Sequence, residues 1–248
     1  MRVIGMVLAR DAAASLHSTL DAMSSYCDGV VVVDDRSTDG TFDIARAHPL
    51  VRDAVSIPPV DGPNVDWVIP ESTLLNALYR LADGQDPDWL IRVDDDEYVD
   101  GWESLRDVLE EQAGDVSAVR FPRVSIWTDT DYPRMVPLMG TATSMNAVAL
   151  RHYPGLVATQ PMHNLLPRGT QERGRIATDE RVRFVHTGWD TLDRRIERAR
   201  TYSRLDPTCE WNHGTSYDRG LLFGYSFDEL DALRAEYARR ATADTVRV

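Results

Sequence analysis

Four consecutive carboxylates, Asp94, Asp95, Asp96 and Glu97, follow directly on a run of large residues that begins at Trp89 and ends at Val93. Neighbouring like charges repel, so such a cluster calls for something that neutralises it. A hard divalent cation, Mg2+ or Mn2+, meets that need, because it prefers carboxylate oxygens and keeps open positions for phosphate. On an extended backbone Asp94 and Asp96 point to one side and Asp95 to the other, which predicts Asp94 and Asp96 as metal ligands. The competing reading is a solvated acidic loop that caps a helix starting near Gly101; the apolar strand ahead of the cluster favours the metal. A second acidic pair, Asp34 and Asp35, ends the run Val30 to Val33, where carboxylates suit a nucleobase imide or ribose hydroxyls. Taken alone, turn chemistry and a helix cap over Arg36 to Thr41 explain that stretch at least as well. Ala9, Arg10 and Asp11 end a third apolar run.

These clusters need a frame. Apolar runs at Val3 to Leu8, Gly29 to Val33, Val51 to Ile57 and Trp89 to Val93 predict strands. Helices are predicted between them: through Leu16, Leu20 and Met23, from Thr41 to Ala47 with Asp39 or Thr38 as cap, and from Glu71 to Ala82. Strand and helix in alternation imply right-handed crossovers and an α/β, doubly wound, mostly parallel sheet with helices on both faces. In such sheets ligands lie beyond the carboxyl ends of the strands, so the three clusters should converge there. Further on, Ser104 to Gln112 reads as helix, Ala118 to Ile126 as extended, Met145 to Leu150 as strand, and Arg181 to Val185 as a strand ending at His186. Asp190 to Arg204 and Phe227 to Arg240 read as C-terminal helices. A single domain over 1–248 is expected, residues 1–102 binding the ligand and 103–248 completing the sheet and walling the acceptor side.

The 248 residues carry a net charge of −13, which argues against non-specific nucleic-acid binding, since phosphates repel such a surface. All 27 basic residues are Arg, so a lysine Schiff base and a P-loop lysine are excluded. No GxGxxG follows the first strand, which disfavours NAD(P). Cys27 and Cys209 form no CxxC pair and read as free thiols in a reducing compartment. The apolar start is too short for a signal peptide and no stretch reaches the length of a membrane span, so a soluble cytoplasmic protein is expected.

Together, VVVVDDRSTDGT at Val30 to Thr41, VDDDE at Val93 to Glu97 and the opening MVLARDAAASL resemble family 2 glycosyltransferases of the GT-A, Rossmann-like fold. Arg36 stands where the family has Gly. The resemblance covers residues 2 to 102 well and the remainder weakly. It implies a metal-dependent transfer of a sugar from a nucleotide-diphospho-sugar, a UDP-sugar first among donors, to a glycan, lipid-linked or protein acceptor, with inversion. Ala9, Arg10, Asp34 and Asp35 would then hold the nucleoside, Asp94 would lie by the ribose, and Asp96 would bind Mn2+ or Mg2+ on the diphosphate. Many relatives place an Arg before Asn76; here that residue is Leu75, so one cationic contact is missing or comes from elsewhere.

The segment His186 to Pro207 is similar to lipopolysaccharide-core-type members of the family, in which His186 would complete the metal shell and Arg198, with Tyr202 beside it on the same helix, would neutralise phosphate. A His-Glu pair of those relatives reads His163-Asn164 here. Inversion needs a base for the acceptor proton, and Asn is not one, so Asp179, Glu180 and His163 are the candidates. Trp67, Trp127, Trp189 and Trp211 offer sugar-stacking surfaces or core packing. Two rivals remain: a sugar-phosphate nucleotidyltransferase, which lacks its usual Gly-rich basic loop here, and a non-catalytic nucleotide-sugar-binding relative. A homodimer is left open.

Overall fold

Strand β2 (Gly29–Asp35) is buried along its whole length, as a β-branched run covered on both faces must be. It pairs in parallel with β1 (Val3–Ala9) on one side and β3 (Val51–Ile57) on the other; β4 (Trp89–Arg92) lies parallel to β1. These relationships come from a computed structural model that describes residues 1–58, 69–125, 142–159 and 166–187, and beyond those only 196, 199–200, 202–204 and 207–208.

Between the strands run α1 (Leu16–Met23), α2 (Thr41–Ala47) and α3 (Glu71–Asp83). Alternation along the strands separates two cores. Val30, Val32, Trp89 and Ile91 meet Leu16, Leu20 and Met23 of α1 on one face. Val31, Val33 and Leu90 meet Leu74, Leu75 and Leu78 of α3 on the other. Each fully buried aliphatic side chain contributes about 1.5–3 kcal/mol, so these two layers fix the strand ends that carry the acidic clusters.

The chain after Arg92 completes the same sheet. Strands β5 (Glu97–Asp100), β6 (Val116–Ser125), β7 (Ala142–Arg151), β8 (Arg175–Thr178) and β9 (Arg183–His186) follow, with a 3-10 turn (Trp102–Ser104), α4 (Leu105–Glu110) and the short α5 (Thr170–Arg173) among them. The strand order is β3-β2-β1-β4-β7-β6-β9-β5, with β8 also on β6. β7 is antiparallel to both β4 and β6, while β8 and β9 pair in parallel with successive halves of β6. β5 is antiparallel to β9.

By compactness the chain divides into two units, Met1–Ile126 with Thr141–Thr187, and Trp127–Gly140 with Gly188–Val248. The first holds every strand named above. In the second the few described residues are helical at 196, 199–200 and 202–204, with Ile196 and Ala199 buried. The expected helix Phe227 to Arg240 lies outside the described residues. Among the described residues no helix is long and apolar enough to cross a membrane, and Cys27 is a buried free thiol.

Two sequence expectations change. The alternative reading of the acidic run, a loop capping a helix near Gly101, gives way: Glu97 opens a strand, β5, whose backbone pairs with β9. The cap of α2 is Gly40, at φ 86°, while Asp39 Oδ1 accepts from the Thr41 N–H at 3.1 Å.

Candidate active site at the carboxyl ends of the strands

Ala9 and Asp34 sit opposite each other at the ends of β1 and β2, both buried. Asp34 Oδ2 accepts a 2.7 Å hydrogen bond from Ser56 Oγ of β3. Its Oδ1 is equally buried and has no hydrogen-bond partner among the described residues. A buried carboxylate oxygen without a donor is costly, which marks it as a place for an incoming N–H or O–H.

Asp35 is gripped from two sides. Arg36 Nε donates to its Oδ1 at 2.7 Å and Arg36 Nη2 to its Oδ2 at 3.2 Å, while Arg10 Nη1 lies 3.6 Å from Oδ2. Arg36 has φ 59°, the left-handed region, which explains why a Gly suits this position in similar sequences. The strain of about 1–2 kcal/mol is offset by the fork of hydrogen bonds that this backbone aims at Asp35.

The rest of that motif braces the loop. Asp11 Oδ1 accepts from Thr38 N–H at 2.8 Å, and Asp11 N–H donates to Ser37 Oγ at 2.9 Å. Ala12 N–H donates to Thr41 Oγ1 at 2.7 Å and Ala13 N–H to Asp39 Oδ2 at 3.0 Å. Ser37 to Thr41 therefore lock the β1–α1 loop to the β2–α2 loop. Arg10, about half exposed, is left facing solvent at the crevice.

The alternation expected for Asp94 to Asp96 gives way to a tight turn. β4 ends at Arg92; Glu97 N–H donates to the Asp94 carbonyl at 3.0 Å, and Asp94 N–H donates to Glu97 Oε2 at 3.0 Å. The two outer aspartates consequently part company. Asp94 is held between guanidiniums, Arg92 Nε on Oδ1 at 3.1 Å and Arg123 Nη2 on Oδ2 at 2.9 Å. Arg92 reaches on to Glu71 of α3 at 2.7 Å, and Arg123 also pairs with Glu97. Burial, with the Asp94 carboxylate next in weight, pushes the Glu97 carboxyl up to about 7 despite Arg123. The repulsion that the sequence posed is thus met in part by two arginines that sequence reasoning passed over. Arg92 did carry a signal, a cation inside an apolar strand; Arg123 carried none.

Asp96 turns the other way. Its Oδ1 lies 3.4 Å from His186 Nε2 at the end of β9, both side chains nearly buried. The link is reinforced by Thr187, whose N–H and Oγ1 both donate to the Asp96 carbonyl at 2.9 Å. β5 and β9 impose the match, since Glu97 pairs with His186. A divalent metal with ligand bonds of about 2.1 Å sets neighbouring ligand atoms about 3 Å apart. The Asp96–His186 separation and its oxygen-nitrogen chemistry fit such an ion. Asp94, spent on two arginines, fits less well as a ligand.

The proposed bases fare differently. Asp179 N–H bonds the Arg120 carbonyl, about five residues, roughly 17 Å of strand, below the level of Ser125 and His186. Its carboxylate is held by Arg181, whose N–H and guanidinium donate at 2.8 Å. Partial burial raises its pKa, yet the Arg181 bonds prevail and leave it below the ordinary carboxylate range. Held by Arg181 and kept acidic, Asp179 lacks the basicity to take a proton, and Glu180 follows it directly in the chain. His163, Asn164, Arg198 and the four tryptophans named above lie outside the described residues. Asn76 pins the chain near Ala158, accepting from its N–H at 2.8 Å and donating to its carbonyl at 3.1 Å, while Leu75 is core.

No family model matches the chain. It is 45% identical over 246 residues to uncharacterised proteins of Mycobacterium tuberculosis and Mycobacterium bovis, covering 98% of this chain and 60% of theirs. The chain thus spans about 60% of the length of the curated relatives it matches. Among solved structures it superposes on S. aureus TarS 1-349 in complex with UDP-GlcNAc with a TM-score of 0.51, at 14% identity, covering 93% of this chain and 78% of that one. Glucosyl-3-phosphoglycerate synthase of M. tuberculosis, in complex with Mn2+, UDP and its glucosyl product, gives a TM-score of 0.46 at 16% identity, covering 84% and 78%. The fold is the GT-A, Rossmann-like fold.

Proposed function

We propose that this GT-A chain is a glycosyltransferase that binds a nucleotide-diphospho-sugar at the carboxyl ends of β1, β2 and β4 and transfers its sugar to an acceptor. The observation that carries the reading is the meeting of Asp96 and His186, brought from distant parts of the sequence to 3.4 Å at the same edge as Asp34, Asp35 and Arg10. One solved structure of this fold, TarS, is in complex with UDP-GlcNAc, which supports a UDP-sugar as the proposed donor.

In this reading Asp34 Oδ1 accepts the imide N–H of the base, an exchange that satisfies an oxygen otherwise buried without a donor. Arg36 and Arg10 hold Asp35 in place beside it. Asp96 and His186 would hold Mn2+ or Mg2+, which when bound offsets the charge on the departing diphosphate. Arg92 and Arg123 keep Asp94 and Glu97 from repelling that site apart. The acceptor's base is assigned to a group outside the described residues, with His163 as its candidate. Family 2 membership, inversion and a cytoplasmic location belong to the same proposal.

The test is release of UDP from UDP-sugars by the purified chain with Mn2+. Loss of a metal contact worth several kcal/mol lowers turnover at least about 100-fold. Asp96→Asn and His186→Ala are expected to show that drop while keeping the wild-type circular dichroism. Turnover indifferent to Mn2+ and to Asp96→Asn would sink the assignment. Pyrophosphate release from a sugar phosphate and nucleoside triphosphate would replace it with a nucleotidyltransferase.

A further inference from the structure

Away from the crevice, α1 and the end of α2 assemble three groups that no step above uses. His17 and Asp21 stand one turn apart on α1, and His48 follows the last residue of α2. His17 Nδ1 lies 3.1 Å from Asp21 Oδ2, and His48 Nε2 lies 3.1 Å from Asp21 Oδ1. The two imidazoles meet edge to face with centroids 5.3 Å apart. One ligand atom from each of the three residues falls within 4.8 Å of the other two.

We propose that His17, Asp21 and His48 form a second metal site, for a transition-metal dication of zinc's type. A tetrahedral zinc with bonds of about 2.0–2.1 Å sets its ligand atoms about 3.3 Å apart. Each imidazole nitrogen already lies 3.1 Å from an oxygen of the one carboxylate, His17 Nδ1 from Oδ2 and His48 Nε2 from Oδ1, so an ion held by both rings would sit against the Asp21 carboxylate. Two imidazoles and one carboxylate suit Zn2+, Cu2+ or Ni2+ better than Mg2+, which prefers a shell made mainly of oxygen. His17 and Asp21 are mostly exposed, at 68% and 63%, leaving room for a water in the fourth position. His48 is buried and anchored, its N–H on the Ala45 carbonyl and its carbonyl accepting from Val51 N–H.

The place is distinct from the crevice. α1 and α2 run back from the carboxyl ends of β1 and β2, and His48 sits just before Val51, where β3 begins. The ion would tie α1 to the lead-in of β3 and stabilise the folded chain by binding it alone. One contact opposes it: the Leu50 N–H points at His48 Nδ1 from 3.3 Å. A metal on Nε2 leaves Nδ1 protonated, so this long hydrogen bond must be given up. Without metal, the same geometry serves as a His–Asp–His clasp in which His48 Nε2 meets Asp21 Oδ1 while Nδ1 accepts from the Leu50 N–H.

The experiment uses the full chain carrying Asp96→Asn, so that the crevice contributes no binding, dialysed against chelator and titrated with zinc chloride by calorimetry. One zinc per chain is expected, with a rise in melting temperature and, with cobalt, the visible absorption of a tetrahedral ion. His17→Ala, at an exposed position that leaves the core untouched, and Asp21→Asn are each expected to weaken binding at least tenfold while the circular dichroism stays unchanged. Absence of zinc uptake by the Asp96→Asn chain, or uptake that His17→Ala and Asp21→Asn leave unaltered, overturns the proposal. The outcome is independent of UDP release, so it stands or fails apart from the glycosyltransferase reading.

Discussion

Replacing Arg123 with Met tests whether the acidic tip is held by its own arginines. Arg123 touches Asp94 at 2.9 Å and pairs with Glu97, its side chain 28% exposed against 24% and 5% for the two acids. Cutting one partner from a fully buried pair costs about 3–5 kcal/mol, and a surface pair is worth about 0–1 kcal/mol. With Glu97 buried and the other two about a quarter exposed, roughly 2–3 kcal/mol is expected. The contacts point the same way: Arg123 lies against both Asp94 and Glu97, so the variant takes one positive charge from two neighbouring carboxylates. Urea unfolding followed by fluorescence reads the effect. With a slope of about 2 kcal/mol per molar, the midpoint falls by about 1–1.5 M at constant slope. Adding Glu97→Gln to the variant is expected to recover part of the loss, since it removes the carboxylate left most deeply unpaired. Saturating Mn2+ is expected to raise the midpoint of Arg123→Met more than that of the wild type, because the cation replaces the missing charge. A midpoint shift under about 0.2 M, or an equal Mn2+ effect on both proteins, refutes this picture of the site.

Other outcomes follow from the same contacts. Glu97 has a folded-state pKa of about 7 against an ordinary 4.5, so the native state holds its proton more tightly than the unfolded chain. The stability it contributes is present in full below about pH 4.5 and is lost as pH rises through about 7. Metal-free protein is therefore expected to melt higher at pH 5.5 than at pH 8, and Glu97→Gln to flatten that difference; the opposite slope refutes it. Asp39, held below the ordinary range chiefly by the Thr41 hydroxyl, stays ionised throughout that window and does not oppose the trend. Gly101 has φ 72° and an added Cβ would meet the Arg181 carbonyl oxygen at 2.3 Å, so Gly101→Ala combines a left-handed backbone with a backbone clash. A loss of about 2–4 kcal/mol is expected, a fall in melting temperature of about 5–10 °C. Asn76→Ala strands both polar groups of Ala158 and is expected to cost about 1–3 kcal/mol by urea unfolding, with Asn76→Asp, which still accepts from the N–H, in between.

What local chemistry dictates was legible without coordinates. Val30 to Val33 can only be an inner strand, and the spacing of Leu16, Leu20 and Met23 makes a helix face, because these periods arise within one segment. From them came the doubly wound half and the position of Ala9, Asp34 and Asp94 at strand ends. Whatever depends on which distant segments pair was decided by the tertiary structure. The antiparallel direction of β7, the placement of β8 and β9 along β6, and the strand at Glu97 are choices of hydrogen-bond partner that no local pattern records. The fates of three site residues hang on those choices. Asp94 meets Arg123 because β6 passes there, Asp96 meets His186 because β9 pairs with β5, and Asp179 bonds the Arg120 carbonyl because β8 ends beside Arg120. Residue types told what chemistry the chain carries; packing of segments far apart in sequence decided which of those groups face one another.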